Sequence, residues 1–477
     1  MKRLMKCFCS AIAAAAALLS LSACPSPNSY SGYSSAQAFP LQFEAHWSPD
    51  GRQLAIYAYP DNPNDFTYPR VYLLDARTYR IEADWEIRNP GLVAPKELFG
   101  AQTPYLSWAA DGHSLSLLQQ SGRSPGFDRL YLHTLKPGSV GVSTRVFNLP
   151  LRFDDKGFSG YSHPALAPDQ RSVALLEHQV IDEPEHYSFE KIQLLRLDLE
   201  TQALQPLGQG LKTTSYSYYN SPHGPVWAPD QTAIYLMYIP DVFDEETGDS
   251  EDTSYVYGER TFITRIPTSG AQSEALFTPD QVSLDQLLIS PEGQYLLGNV
   301  QMPPQVLESP AELGPQYRVL PSDSSPAQGL EMLLLEPAAH QASWYTSDTG
   351  ILDFRFWHGN HQIVGEGVGQ SVTESLNRPW LIWDIASQKL QGRYVLPDLQ
   401  GLKPGPALDM APFPARQLAM ALYNPCCSLK NLRTGVYVWD MEKASMTRVG
   451  PDIARLMKDF PGVGLHERSP YDYRKNS

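Results

Sequence analysis

The stretch WSPDGRQLAIY, residues Trp47 to Tyr57, decides the fold. Its central Pro-Asp-Gly tripeptide favours a β-turn. Pro49 fixes φ at the first central position of the turn, the Asp50 side chain hydrogen-bonds nearby backbone, and Gly51 adopts a backbone dihedral that residues with a Cβ avoid. An apolar run follows the turn. The stretch therefore predicts a β-hairpin, with a short strand that ends at Trp47 and a longer strand beyond the turn.

The same pattern returns along the chain with a period of about 60 residues, which is the behaviour of a repeat architecture. Four further copies are clear: WAADGHSLSLL from Trp108, LAPDQRSVALL from Leu166, WAPDQTAIYLM from Trp227 and ISPEGQYLLGN from Ile289. Two copies are weaker: FWHGNHQIVGE from Phe356 and APFPARQLAMA from Ala411. The sequence thus contains seven copies.

A second apolar strand follows every copy. These strands are RVYLLDA from Arg70, RLYLHTL from Arg129, IQLLRLDL from Ile192, TFITRIP from Thr261, EMLLLEP from Glu331, PWLIWDI from Pro379 and GVYVWDM from Gly435. A polar turn such as Leu199–Gln202 then leads to a fourth strand such as Ala203–Leu207. Four strands per repeat make one propeller blade, so an all-β, seven-bladed β-propeller is predicted. A β-sandwich array, a β-helix, and rings of six or eight blades are the alternatives.

These repeats resemble those of the TolB-like, WD-like propeller family, whose W-S-P-D-G-x-x-[LI]-[AV] string is nearly intact at Trp47. The resemblance covers about Phe39 to Pro451. It implies the propeller fold and leaves function open, because the family includes translocation-system partners, peptidase accessory domains and lyases. The Trp that ends the innermost strand in three copies is interpreted as a wedge between adjacent blades.

The N-terminus has the pattern of an export signal. A basic head precedes an apolar run from Ala11 to Leu21, which is shorter than the roughly 20 residues that span a bilayer. The following Leu21–Cys24 resembles the lipobox of bacterial lipoproteins, which implies that Cys24 is acylated, with palmitate among its lipids, and begins the mature chain. An ordinary secretory signal is the alternative interpretation.

The predicted organisation has four parts: a signal peptide at 1–23, a lipidated flexible tether at 24–38, the propeller at 39–451 and a polar C-terminal tail at 452–477. The tether is rich in Ser, Pro and Tyr, a composition typical of a linker. Pro25 stands where an inner-membrane retention signal usually has Asp, so an outer-membrane location, on the periplasmic face or the cell surface, is expected.

The chain is acidic, with a formal net charge of −15. Nucleic acid is a poor partner for such a chain. An envelope protein is the expected partner, the lipid is the expected sole membrane attachment, and a monomer is favoured. After signal removal and acylation, Cys426 and Cys427 are the cysteines that remain. They form either a vicinal disulfide or two thiols.

Polar residues precede the hairpin turn in every copy and are candidates for lining the mouth of a central channel. They are Glu44, Tyr105, His163, His223, Asp285, Asp353 and Asp409. His and carboxylate side chains around a channel could bind a metal or a polar ligand. Side chains that simply face water are the alternative interpretation.

An acidic segment, DVFDEETGDSED, runs from Asp241 to Asp252. It offers Asp244, Glu246 and Asp249 as oxygen ligands for Ca²⁺, although their spacing differs from that of an EF-hand and a solvated loop is the simpler interpretation. No other cofactor is predicted. A Pro-rich insertion from Met302 to Gln328 is interpreted as a surface loop or a partner-docking arm.

The sequence lacks the G-x-S-x-G nucleophile elbow, the phosphate loop and the H-E-x-x-H zinc motif, and no catalytic residue is predicted. The predicted function is therefore that of a membrane-anchored binding or scaffolding module. The alternative is a propeller enzyme, a lyase or hydrolase acting on a sugar or lactone, with a metal at the channel mouth. Convergence of His163, His223 and Asp353 in one pocket would favour the enzyme.

The substitution Cys24→Ser tests the lipid anchor. Because the Ser hydroxyl cannot take the thioether-linked lipid, we expect the full chain to leave the membrane fraction while its melting transition stays unchanged. Cell fractionation followed by immunoblotting measures this, with Cys9→Ser, a change inside the signal, as the matched control. A Cys24→Ser chain that sediments with membranes would contradict the anchor.

Overall fold

The computed structural model describes seventeen stretches of the chain, all within one compact unit, Pro40–Glu467. They are residues 41–60, 68–89, 105–121, 128–150, 152–154, 157–181, 189–214, 224–238, 262–277, 283–302, 318–320, 330–339, 341–346, 351–367, 379–399, 402–423 and 435–460. Cys24, His223, the acidic segment and the Cys426–Cys427 pair lie outside the described residues.

Seven antiparallel sheets follow one another along the chain and are numbered here as blades 1 to 7. Blade 1 contains β1 (Leu41–Trp47), β2 (Gln53–Pro60), β3 (Arg70–Asp75) and β4 (Ile81–Glu86). Blade 2 contains β5 (Tyr105–Trp108), β6 (Leu115–Ser121), β7 (Arg129–Leu135) and β8 (Val142–Asn148). Blade 3 contains β9 (Arg152–Asp154), β10 (Gly157–Leu166), β11 (Ser172–Ile181), β12 (Phe189–Asp198) and β13 (Leu204–Thr214).

The remaining blades repeat this order. Blade 4 contains β14 (Val226–Trp227), β15 (Ala233–Tyr238), β16 (Phe262–Pro267) and β17 (Glu274–Phe277). Blade 5 contains β18 (Ser283–Ile289), β19 (Leu296–Met302), β20 (Arg318–Leu320), β21 (Leu330–Glu336) and β22 (Gln341–Thr346), with a short 3₁₀ turn at Pro337–Ala339. Blade 6 contains β23 (Ile351–His358), β24 (Gln362–Gly367), β25 (Trp380–Asp384) and β26 (Lys389–Tyr394). Blade 7 contains β27 (Lys403–Met410), β28 (Gln417–Tyr423), β29 (Gly435–Asp440) and β30 (Ser445–Val449).

This arrangement confirms the all-β, seven-bladed β-propeller. Each of the seven predicted hairpins joins the first two strands of a four-stranded antiparallel unit, and each predicted second apolar strand is the third strand of that unit. Two blades depart from four strands. In blade 3 the short β9 pairs with the first strand, and in blade 5 β20, which comes from the Pro-rich insertion, pairs in parallel with the outermost strand.

The hairpin turn has the backbone that its sequence predicts. Gly51 has a φ of 67°, in the left-handed region where a Cβ is unfavourable. In blades 3 and 4 glutamine takes the same position, with φ of 58° at Gln170 and 61° at Gln231. The preceding Asp accepts a backbone N–H two residues on, as Asp50 does from Arg52 at 3.0 Å. The turn therefore keeps its shape when the glycine is replaced.

A second, aspartate-centred turn joins the third and fourth strands of several blades. Asp75 Oδ1 accepts hydrogen bonds from the backbone N–H and the hydroxyl of Thr78, at 2.7 and 2.8 Å. Asp198 does the same with Thr201, and Asp384 with Ser387. These bonds stabilise the carboxylate form and lower the pKa of Asp75.

Apolar side chains fill every interface between neighbouring blades, which gives seven separate hydrophobic clusters. Between blades 1 and 2, for example, Tyr57 and Trp85 pack against Leu117. The seventh cluster joins the two ends of the chain, because Phe43 of blade 1 packs with Val436 of blade 7. Each sheet thus buries both faces, and the ring closes on itself.

The ring closes through side chains. Among the strands that the structure describes, blade 1 is built from the first four and blade 7 from the last four, and none is shared across this seam. A helix, α1 (Ile453–Asp459), follows blade 7 and contributes Leu456 to the cluster between blades 7 and 1, as does Phe460 just beyond it. The segment that follows blade 7 therefore begins with a helix that packs into the seam.

Charged groups attach this helix to blade 1. Arg455 pairs with Asp84 of β4, while Asp459 accepts a hydrogen bond from the Tyr72 hydroxyl at 3.0 Å. Arg70, whose side chain is largely buried, lies 3.7 Å from Asp459 and 3.4 Å from Asp84. Both arginines lie beside both aspartates, so each carboxylate of this partly buried group is next to a cation.

The hairpin turns of neighbouring blades also contact one another on one edge of the ring, named here the turn rim. Hydrogen bonds join Ser116 with Gln170, Asp169 with the amide of Gln231, and Glu292 with Asn360. At the other four interfaces a turn side chain lies beside a turn glycine of the neighbouring blade: Pro49 by Gly112, Pro229 by Gly293, Phe413 by Gly359, and Pro412 by Gly51. All seven interfaces therefore have a second line of contact besides the apolar cluster.

The opposite edge carries the long connections and is named here the long-connection rim. The hairpin from Trp47 to Gln53 is short, whereas the second and third strands of blade 4 are separated by the whole segment from Tyr238 to Phe262. In blade 5 the corresponding strands are separated by the residues from Met302 to Leu330, which include β20. Antiparallel pairing puts the described ends of all these segments on the same rim.

The repeated Trp lies between blades, as expected. Trp108 packs against the cluster of blades 1 and 2 and donates its Nε1–H to the carbonyl of His46 at 3.0 Å. Trp227 donates in the same way to Ala165 of blade 3 at 2.9 Å. In these two copies the indole joins two blades by packing and by a hydrogen bond to the neighbouring innermost strand, whereas Trp47 joins blades 7 and 1 by packing alone.

In the two weak copies the strand register moves this position by one residue. Trp47 pairs with Leu54 across the hairpin, and its counterparts by pairing are Trp357 in blade 6 and Met410 in blade 7. The sequence comparison had aligned Phe356 and Ala411 with Trp47.

Among the described residues, no helix is long and apolar enough to cross a membrane.

The substitution Trp108→Ala tests the wedge. We expect a loss of about 3–5 kcal/mol in the free energy of unfolding, because a large, partly buried ring that packs between two blades is replaced by a cavity. Trp108→Phe keeps most of the packing and removes the Nε1–H donor, so it should cost about 1 kcal/mol. Chemical denaturation followed by circular dichroism measures both. An alanine variant that unfolds at the wild-type denaturant concentration would refute the wedge.

Candidate functional site

The channel-mouth candidates that the structure describes each lie on a different innermost strand. Glu44 is on β1, Tyr105 on β5, His163 on β10, Asp285 on β18, Asp353 on β23 and Asp409 on β27. The side chains of Glu44, His163 and Asp409 are described and belong to three different blades. Among the described residues, no three His, Cys, Asp or Glu side chains come together as a metal site.

Asp409 connects the last blade of the chain with the first. Its Oδ2 accepts the backbone N–H of Trp47 in blade 1 at 2.7 Å, and its Oδ1 accepts the N–H of Met410 at 2.9 Å. Burial raises its pKa to about 7, and the two hydrogen bonds only partly oppose that rise. This candidate therefore has a structural role at the seam between blades 7 and 1.

Glu44 faces the interface between blades 1 and 2. It pairs across β1 and β2 with Tyr57, a fully buried residue of that interface, so the two side chains share one face of the sheet. The residue as a whole is half-buried, but its Oε1 is inaccessible to solvent and has no hydrogen-bond partner. Burial raises the pKa of Glu44 to about 8, so the carboxyl is largely protonated at neutral pH.

A chain of hydrogen bonds extends from Tyr57 into blade 2. Gln119 Nε2 donates to the Tyr57 hydroxyl at 2.8 Å, and Gln119 Oε1 lies 3.0 Å from Asn89 Nδ2 and 3.1 Å from His133 Nε2. Since this oxygen can only accept, His133 carries its proton on Nε2, and its Nδ1 accepts from the Thr144 hydroxyl at 2.9 Å. The donor and the acceptor of each of these hydrogen bonds are therefore fixed.

Burial keeps the histidines of this interface neutral. It lowers the pKa of His133 to about 4 and that of His46, which follows Glu44 on the same face of β1, also to about 4. The interface between blades 1 and 2 therefore contains a protonated acid and two uncharged imidazoles. Such groups hold the blades in register without placing a net charge in the interface.

His163 belongs to a cluster in blade 3. Its Nδ1 lies 2.7 Å from the hydroxyl of Ser162, and His178 Nε2 is also within hydrogen-bonding distance of that oxygen. The two imidazole centroids are 6.4 Å apart. Gly224, the first described residue of the blade 4 segment, packs against His163. All three side chains of the cluster are half-buried.

Sequence reasoning named His163 and missed its two neighbours. His178 is on the second strand of its blade, so a comparison of residues before the hairpin turn could not include it. A register shift between Ser162 and Ala165 brings the hydroxyl toward His178. Tyr57 and Gln119 were also missed, because the bond between them crosses from one blade to the next.

No protein-family model and no curated protein sequence matches the chain. Solved structures do match. A puromycin hydrolase complexed with PGG is similar at a TM-score of 0.50 and 13% identity, over 88% of this chain and 54% of that one. An oligogalacturonate lyase in complex with manganese gives 0.45 and 12%, over 80% and 93%. The Cps50 (Swd1) β-propeller domain of Myceliophteria thermophila gives 0.41 and 12%, over 85% and 97%.

The chain spans about half the length of the hydrolase that it matches. At such identities the likeness concerns the fold alone. The chain is a seven-bladed β-propeller, and its own residues must supply any argument about its activity.

The buried acids predict how stability depends on pH. A carboxyl whose pKa is raised in the folded state favours folding below its unfolded pKa, near 4 to 4.5, and loses that contribution as pH rises through its folded pKa. For Asp409 and Glu44 these folded values are about 7 and about 8. His46 and His133 have the opposite sign and lose stability as pH falls from 6.5 toward 4.

The substitution Glu44→Gln isolates one of these acids. We expect its unfolding free energy to exceed that of the wild type by about 2 kcal/mol at pH 8.5, with the advantage gone at pH 5, because the amide cannot ionise. Melting temperatures from pH 5 to 9 measure the difference. Glu200→Gln, at an exposed turn, is the control and should show no such trend. An equal effect of Glu44→Gln at both pH values would contradict the buried-acid interpretation.

Proposed function

We propose that this chain is a lipid-anchored propeller of the bacterial envelope that binds a protein partner through its long-connection rim and acts as a scaffold. The observation that carries the proposal is the difference between the two rims. On the turn rim, short hairpins contact one another around the ring. On the other rim, the described strand ends are joined by segments as long as that from Tyr238 to Phe262.

A ring with this division suits a binding module. Seven apolar clusters and a complete set of turn contacts make the strands a rigid support. Long segments that leave such a support can vary in sequence without loss of the fold, and binding residues are concentrated on segments of this kind. The acidic segment with Asp244, Glu246 and Asp249 belongs to this rim by its position between β15 and β16, which supports a partner with a basic surface.

The enzyme alternative has less support. Of its candidate residues, Asp409 already bonds across the seam between blades 7 and 1, and Glu44 faces the interface between blades 1 and 2. Convergence of His163 with His223 and Asp353, on which a sugar-cleaving or lactone-cleaving site would depend, involves side chains outside the described part of the structure. We therefore place protein binding first and retain no catalytic residue.

Site-specific photo-crosslinking in intact cells tests the proposal. A photoreactive amino acid is placed in the full, lipidated chain at Glu246 or Gln305 on the long-connection rim. The matched controls are Asp111 and Asp230, exposed residues of the turn rim. We expect one envelope protein to be crosslinked from both positions of the first pair and from neither control.

The competing outcomes are distinct. Crosslinks that arise only from Asp111 or Asp230 would place the partner on the turn rim and contradict the proposal. If neither rim yields a protein crosslink in intact cells, the scaffold function is rejected. Replacing residues 239–261 with a short Gly-Ser linker should reduce the yield from Gln305, because both segments start and end at strand ends of the same rim.

A further inference from the structure

The hydroxyl of Ser162 lies between two imidazoles in blade 3. His163 Nδ1 is 2.7 Å from its oxygen, and His178 Nε2 approaches the same atom from the neighbouring strand. A hydroxyl has one proton, so it can donate to one of these nitrogens and must accept from the other. Two ring nitrogens, from strands β10 and β11, therefore converge on one point.

His163 has an uncommon backbone conformation at this position beside the Ser162 hydroxyl. Its φ is 49°, in the left-handed region that residues with a Cβ rarely adopt. The residue lies in the register shift between Ser162 and Ala165, and a bulge of this kind redirects a side chain. Strain of this type persists where surrounding structure maintains it, and it is concentrated at functional sites.

The cluster lies at the junction of blades 3 and 4. His178 and Leu176 share a face of β11, and Leu176 packs in the cluster between blades 3 and 4. Gly224 approaches His163 from the blade 4 side. The three polar side chains keep partial exposure, unlike the fully enclosed His133 in blade 2.

We propose that His163 and His178 form a binding site for a divalent transition-metal ion of the Zn²⁺ class. The ion takes the position of the Ser162 hydroxyl, which turns to another rotamer, and the rings move inward to Zn–N distances of about 2.0–2.1 Å. Water completes the coordination. Neutral imidazole is a ligand for Zn²⁺, Cu²⁺ and Ni²⁺, whereas Ca²⁺ and Mg²⁺ prefer oxygen, so the site selects against the latter pair.

This site goes beyond the proposed partner binding and does not depend on it. It uses His178, which is absent from the residues named before the hairpin turns, and it draws on one blade rather than on a ring of side chains around the channel. A metal ion there would present an open coordination position at the junction of blades 3 and 4. A partner or a ligand with an available lone pair could occupy that position.

Calorimetric titration of the full, lipidated chain in detergent with ZnCl₂ tests the site. We expect one equivalent to bind with a micromolar dissociation constant at pH 7.5. The affinity should fall at acidic pH, because a protonated imidazole cannot bind a metal ion. His163→Ala and His178→Ala should each weaken binding about tenfold or more. His113→Ala, at an exposed turn of blade 2, should leave it unchanged.

Two further measurements guard against variants that misfold. Ser162→Ala removes the competing hydroxyl, so a folded variant should bind Zn²⁺ at least as tightly as the wild type; loss of binding would refute the proposed coordination. Zinc K-edge X-ray absorption on the loaded wild-type protein should show two imidazole ligands. Spectra without imidazole scattering, or equal affinity in His163→Ala, His178→Ala and the wild type, would overturn the site.

Discussion

The whole structure depends on each sheet burying both of its faces against neighbours. A lone blade would leave a face such as that of Leu73 and Tyr57 in water, and their burial in an interface makes the ring stable. The seven clusters are separate, so no central core holds the fold together. Stability is distributed over the interfaces, and each pair of blades must fit locally. The indole of Trp108 shows how this is done, since it fills an interface and also bonds to the next strand.

Polar residues at these interfaces specify which faces meet. Tyr57 and Gln119 come from different blades, and their hydrogen bond is satisfied only in one relative placement. Asp409 performs the same task at the seam, where it accepts the N–H of Trp47. Apolar contacts alone tolerate sliding, whereas buried donors and acceptors penalise it. Several residues that suggested ligand chemistry in the sequence are thus explained by the assembly of the ring.

The fold could be predicted because its signals are local and repeated. Turn chemistry at Pro49–Gly51 and a third strand after each hairpin are both encoded within one repeat. The exact strand register of each hairpin was harder to predict. In blades 6 and 7 the hairpins differ in length from the first, so a fixed-length comparison aligned Phe356 and Ala411 where the strand pairing has Trp357 and Met410.

The candidate site was less predictable, for a physical reason. Contacts such as Tyr57 with Gln119 join blades, and contacts such as Ser162 with His178 depend on a bulge. Neither is encoded by spacing along the chain. Position before the hairpin turn located His163 and Asp409 on the innermost strands, but it could not show which of them would meet another polar group.

The seam between blades 7 and 1 has a consequence for how the ring is assembled. Within each blade, pairing joins strands that are neighbours or near neighbours in sequence, so these contacts are local. The bond from Trp47 to Asp409 joins residues 362 positions apart. Until the last blade arrives, Phe43 and its neighbours on β1 have no partner. Closing the seam is therefore the contact between blades with the largest cost in loop-closure entropy, and a chain without its last blade leaves this apolar face of blade 1 exposed.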